Sequence, residues 1–201
     1  RYTLVPIFKK FREKYPQVTI HLLQGRPREI AYWVSTGEAD IGLGTTPIDL
    51  FPSLVHIPCF RLPHSVITPL RHPLLKHGRP SVEAIARYPF ITTGTESRLG
   101  NLVSERFASR GLQPNIVIRA LDIEIIKTYV ALGFGVAVVP TIAVDSSRDT
   151  GLRAIDASHI FEPTIASVIL QDDIQLRGYL QDFIDMLAPR QGSKRRIRDL
   201  S

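Results

Sequence analysis

Apolar residues recur at three- and four-residue steps in some stretches of the chain and form unbroken runs in others, and the change from one pattern to the other predicts its elements. Leu4, Ile7, Phe8, Phe11 and Tyr15 mark one face of an opening helix that stops before Pro16, and 18–23 then reads as a strand. After a turn over 24–27, Pro27 suits the first position of a helix to Thr36 that buries Ile30, Val34 and either Tyr32 or Trp33 and ends at Gly37. Short strands are expected over 40–44 and 54–60. A fresh series follows: a strand over 65–69, then a short helix that Ser81 caps with Glu83 completing a capping box. Next come a strand over 89–92, a helix to about Arg110 burying Leu102, Val103 and Phe107, and a strand over 116–119.

The strongest pattern runs over 121–140. Asp122 caps a helix with Ile123, Ile126, Tyr129 and Val130 on its apolar face, and Gly133 ends it. Gly135 then releases the chain into Val136-Ala137-Val138-Val139, a run of the kind buried on both faces of a parallel sheet, and Pro140 closes it. Last come strands over 152–155 and 165–170 and a helix over 174–187 with Leu176, Leu180, Phe183, Ile184 and Leu187 on one side. The fold class expected is α/β, with two Rossmann-like lobes. Lobe I takes 1–61 plus 171–189, lobe II takes 62–170, and 190–201 is a disordered basic tail. A helix is an unusual first element for such a fold, so a strand is expected upstream of Arg1. Two lobes joined by crossing connections predict a cleft that closes on a small ligand.

Composition narrows the classes. A chain of 201 residues that is 44% hydrophobic can bury a sizeable core, and it has neither a signal-peptide pattern nor an apolar run near the roughly 20 residues a membrane helix needs. A soluble cytoplasmic protein with no membrane partner is expected. The single cysteine, Cys59, lies in an apolar run and reads as a buried free thiol of a reducing compartment. The formal charge of +6 owes much to Lys194, Arg195, Arg196 and Arg198 at the end, so the mildly basic body is not read as a nucleic-acid surface.

Catalytic chemistry finds no foothold. His21, His56, His64, His72, His77 and His159 are scattered without metal-ligand spacing, and no nucleophile elbow, Walker loop or dinucleotide fingerprint occurs. Neither an enzyme nor a cofactor is expected. Two loops stand out instead: Thr45 and Thr46 after one strand, and Thr92, Thr93, Thr95, Ser97 and Arg98 between another strand and a helix. Hydroxyls and free N–H groups at a helix start make an anion site, and Arg98 adds a charge-assisted contact; ordinary capping accounts for the same residues.

The segments Y-P-Q-V-T-I-H-L-L-Q-G-R-P-R-E-I from Tyr15, G-E-A-D-I-G-L-G-T from Gly37, I-P-C-F from Ile57, R-H-P-L from Arg71, I-K-T-Y-V-A-L-G-F-G-V-A-V-V from Ile126 and D-F-I-D-M-L-A-P from Asp182 resemble the effector-binding domain of LysR-type transcriptional regulators. Within the family they are most similar to the CysB-like branch that controls sulfur assimilation. The resemblance implies two periplasmic-binding-protein type 2-like lobes and an effector site between them, with DNA reached through an N-terminal winged helix-turn-helix outside this sequence. It also implies a homodimer or homotetramer, with the opening helix of one subunit beside the Asp122 helix of another. In that pattern an anion is held partly by a turn upstream of Arg1, and the matched positions here are Thr45, Leu62 and Arg98. Thr45 keeps the family residue, whereas Leu62 stands for Trp and Arg98 for Thr, which alters the site in size and charge. The branch implies a small anionic sulfur metabolite, sulfate or an N- or O-acetylserine, and the added guanidinium a more strongly bound or larger one such as a sulfonate or adenylyl sulfate. The rival reading is a free-standing bilobal solute-binding protein for a small anion.

Overall fold

Helices α1 (Leu4–Lys14), α2 (Pro27–Ser35) and α6 (Gly178–Leu187) and strands β1 (Gly42–Gly44), β2 (Leu54–Leu62) and β8 (Thr164–Gln171) make one group of elements in the computed structural model, which describes residues 4–45, 51–95, 97–172 and 177–188. Strands β3 (His64–Pro69), β4 (Phe90–Thr92), β5 (Ile116–Arg119), β6 (Val136–Pro140) and β7 (Leu152–Asp156) make the other, with helices α3 (Val82–Ala86), α4 (Arg98–Ala108) and α5 (Ile123–Ala131). The described residues divide accordingly into two compact units, one drawn from 4–44, 51–60, 166–172 and 177–188, the other from Thr45 with 61–95 and 97–165. The start of the expected last helix with Leu176, Thr46, and the basic tail over 190–201 lie outside the described residues.

The first unit carries a three-stranded sheet in the order β1-β8-β2. Alternate residues of β8 point to opposite faces, so Ile169 packs with Ala31 and Val34 of α2, while Val168 and Leu170 pack with Ile184 and Leu187 of α6. Phe11 of α1 meets the Phe183 ring edge-on at 4.9 Å, and Asp182 accepts hydrogen bonds from Lys14 and Tyr15, which fixes α1 on α6. These bonds hold the Asp182 carboxyl below its ordinary range and push the Lys14 ammonium up.

In the second unit a five-stranded sheet runs β5-β4-β6-β3-β7. Alternation again decides the layers: Val66, Phe90, Val136 and Val138 face α3 and α4, while Ile67, Ile91, Ala137 and Val139 face Ile126 and Val130 of α5. Gly133 takes φ 84°, a left-handed conformation that ends α5 without the cost a Cβ would bring.

Several expectations change. The 18–23 segment is no strand: among the described residues it has no ladder partner, and Ile20, Leu22 and Leu23 are exposed. Strand β6 pairs parallel with β4 and antiparallel with β3, because β3 enters the sheet from the opposite end, so the sheet is mixed. Of the alternatives Tyr32 and Trp33, Tyr32 is exposed and Trp33 half-buried, and Ala31 joins the buried face of α2. Ser81 does cap α3 through the Ala84 N–H at 3.2 Å, but Glu83 sits at the second helical position, one short of a reciprocal capping box. Cys59 is only half-buried; it donates to the Ile57 carbonyl, and burial pushes its thiol up.

Candidate functional site

Strand β4 delivers the chain to the start of α4 through residues 93–97. Its last carbonyl, that of Thr92, accepts the Ala120 N–H at 3.0 Å, so the end of β5 fixes the point where the loop departs. Thr92 and Thr93 are both buried. Ser97 is the N-cap of α4: its Oγ accepts the Gly100 N–H at 2.9 Å, lies 3.0 Å from the Gly94 carbonyl and 2.7 Å from Thr93 Oγ1. The Ser97 N–H also donates to the Gly94 carbonyl, at 3.1 Å. Gly100 is required here, because a Cβ on it would run into that same carbonyl.

One hydroxyl carries one proton, and that decides what the loop offers. Ser97 donates either to Gly94 or to Thr93. If it serves Thr93, the Thr93 proton is free to point out of the loop toward an anion. Beside it, the N–H groups of Arg98 and Leu99 have no carbonyl a helical turn before them within α4, and the helix dipole places partial positive charge there. The arrangement suits an anion that accepts from a hydroxyl and from backbone N–H groups, with the exposed Arg98 side chain as an added cation.

Of the residues expected at the site, Thr93 and Ser97 are joined directly and Thr92 anchors the loop. Thr95 and Arg98 are exposed on either side of Ser97. Thr45 follows β1 and Leu62 closes β2, each half-buried, and among the described residues no hydrogen bond joins either to the 92–98 group.

Two features of α5 escaped the sequence reading. Lys127 is buried, with Nζ 2.8 Å from Asp149 Oδ2, 2.9 Å from the Ala143 carbonyl and 3.2 Å from Glu124 Oε1. The signal was present: Lys127 lies one turn after Ile123, on the face whose burial the apolar spacing predicts. Tyr129, expected on that face, is 36% exposed and joins Leu121, Ile125, Leu132 and Phe134 in an exposed apolar strip. A shallow groove of about 460 Å³ runs between this strip and Ile118 and Arg119 of β5.

The family model described as LysR substrate binding domain matches residues 1–192. The chain is 39% identical over 189 residues to the HTH-type transcriptional regulator SsuR of Burkholderia cenocepacia, covering 94% of this chain and 61% of that protein. It is 36% identical over 186 residues to the HTH-type transcriptional regulator cbl of Escherichia coli, covering 92% and 59%. The chain thus spans about three fifths of the length of the curated relatives it matches. Among solved structures, the cofactor-binding domain of the Cbl transcriptional regulator superposes with a TM-score of 0.91 at 34% identity, covering 100% of this chain and 86% of that one. The effector-binding domain of QuiR in complex with shikimate, at 16% identity and a TM-score of 0.80 over 94% of this chain and 92% of that one, shares the fold.

Proposed function

The chain belongs to the LysR substrate-binding domain family, and from that premise we propose that it senses a small anionic sulfur metabolite at the start of α4 and passes its state to a DNA-reading module of a longer cytoplasmic protein. The observation that carries the reading is the donor set at that helix start: the leading N–H groups of α4, the Arg98 guanidinium, and the Thr93 hydroxyl, whose proton is free when Ser97 donates to it. The relatives SsuR, CysB and cbl support a regulator, and the resemblance to the CysB-like branch supports a sulfur effector such as sulfate, a sulfonate, an acetylserine or adenylyl sulfate. The relatives, named as transcriptional regulators, support a site that binds without reacting. The exposed apolar strip on α5 supports self-association with a second copy, as a dimer or tetramer.

Calorimetric titration of the purified domain with sulfate, thiosulfate, N-acetylserine and adenosine phosphosulfate tests the effector. Saturable binding of one of these, weakened about tenfold by Arg98→Ala and weakened further by salt, is the expected result. No response to any of them rejects the sulfur effector, and binding indifferent to both Arg98→Ala and Thr93→Val moves the site elsewhere.

A further inference from the structure

We propose that Lys127 is a positioning residue for the anion loop and acts on it through α5. Among the described residues it is the buried lysine, and it holds α5 to the segment between β6 and β7 by two separate contacts. One is the Ala143 carbonyl at 2.9 Å; the other is Asp149, at 2.8 Å, whose side chain is 13% exposed against 7% for the lysine. Asp149 in turn closes its own turn, since the same Oδ2 accepts the Asp145 N–H at 2.9 Å and its N–H donates to the Asp145 carbonyl at 2.7 Å. A cation so placed anchors one flank of α5 to a rigid turn.

The apolar residues beside Lys127 on the same buried face lead to the loop. Ile126 and Val130 share a core with Ile91 of β4, one residue before the strand end, and the Ala120 N–H just ahead of α5 holds the Thr92 carbonyl. A shift of α5 therefore displaces the residues from which Thr93 departs. The inference rests on the anion reading above, and its test separates the two.

The double variant Lys127→Met with Asp149→Asn removes both charges together, so no unpaired ion is left buried, and the asparagine oxygen still accepts from Asp145. Three quantities are measured on it: thermal midpoint, sulfate affinity, and hydrogen exchange of the Ala120 amide. Positioning predicts a midpoint near wild type, sulfate binding weakened about fivefold, and Ala120 exchange accelerated about tenfold, as expected for loss of coupling through a packed network. Unchanged sulfate affinity in a protein whose binding Thr93→Val does weaken overturns the proposal. So does unchanged Ala120 exchange, and that readout decides even if the wild-type domain binds no sulfate, an outcome that removes sulfate as the effector and leaves the positioning proposal standing. Should the double variant fail to fold, Asp149→Asn by itself, which weakens the hold on Lys127, is expected to move both readouts in the same direction; movement of neither overturns the proposal.

Discussion

Ser97→Ala removes one oxygen that serves three neighbours, and its cost can be built up from them. Loss of the bond to the Gly100 N–H is the loss of an N-cap, about 1 kcal/mol. Thr93 is 7% exposed, so its hydroxyl, deprived of the partner at 2.7 Å, adds about 2 kcal/mol for a buried polar group left unsatisfied. The sum of about 3 kcal/mol corresponds to about 6–12 °C in thermal midpoint for a chain of this size. Ser81→Ala is the internal control, because Ser81 caps the start of α3 and otherwise meets the exposed Glu83 carboxylate, leaving no buried group unsatisfied, and about 1 kcal/mol is expected there. Adding Thr93→Val to Ser97→Ala should recover part of the loss, since the orphaned hydroxyl goes with it; the coupling expected is about 1–2 kcal/mol. Urea denaturation of the four variants gives all the terms. Equal costs for Ser97→Ala and Ser81→Ala, or strict additivity of Ser97→Ala and Thr93→Val, would refute the linked hydroxyl pair.

Gly100→Ala reverses the usual sign of a glycine-to-alanine change in a helix: instead of gaining about 1 kcal/mol, it should lose about 1–3 kcal/mol to the collision with the Gly94 carbonyl, read by the same denaturation, and any gain refutes the close approach. Burial holds the His64 imidazole below its ordinary 6.5, against the opposing pull of the Phe161 and Glu162 carbonyls. The unfolded chain therefore takes up this proton first, and stability present above pH 6.5 is lost on acidification until the folded value is reached, at no more than about 1.4 kcal/mol per pH unit. His56 and His72 are held down in the same way, so His64→Gln should flatten the stability profile below pH 6.5 in part, and an unaltered slope contradicts the assignment. Tyr129→Arg, on the exposed strip, should weaken self-association in sedimentation by about tenfold while costing about 1 kcal/mol of stability for the lost edge-on contact with Phe134; unaltered association removes α5 from the contact.

Much of the fold was legible because local signals agreed with one another. Asp122 caps α5, Pro27 opens α2, and Gly37, Gly111 and Gly133 all take positive φ where the apolar spacing stops. The α/β class followed from the alternation of helical periods with runs such as Val136–Pro140, and its periplasmic-binding-protein type 2-like form from the resemblance to the LysR-type domain. What was not legible depended on neighbours distant in sequence. The 18–23 segment has strand composition, yet a strand exists only with a ladder partner, which no local pattern reveals. The direction of β3 against β6 is likewise a property of pairing. At the site, Ser97 and Thr93 could be picked out as hydroxyls before a helix, but their mutual bond depends on a turn that Gly94 and Gly100 make tight. Lys127 escaped because lysine is ordinarily solvent-facing, and Asp149, its partner, lies 22 positions on in a turn without periodicity.

The loop at α4 and the apolar strip on α5 share one support, and this decides which substitutions can tell their roles apart. Ile91 of β4 and Ile126 and Val130 of α5 lie in the same buried cluster, so Ile91→Ala or Ile126→Ala, at about 2–5 kcal/mol, would loosen both surfaces at once. Arg98 and Ile125 are exposed on those same elements and can be exchanged without opening the core. If anion binding and self-association are linked, the linkage is reciprocal: association changes anion affinity by the factor by which the anion changes association. Ile125→Asp, which should dissociate the assembly, is therefore expected to shift sulfate affinity by the same factor that saturating sulfate shifts the wild-type association constant. Sedimentation supplies one factor and calorimetry the other. Sulfate that alters wild-type association, with an affinity untouched by Ile125→Asp, would show that the strip on α5 is not the surface through which the anion acts.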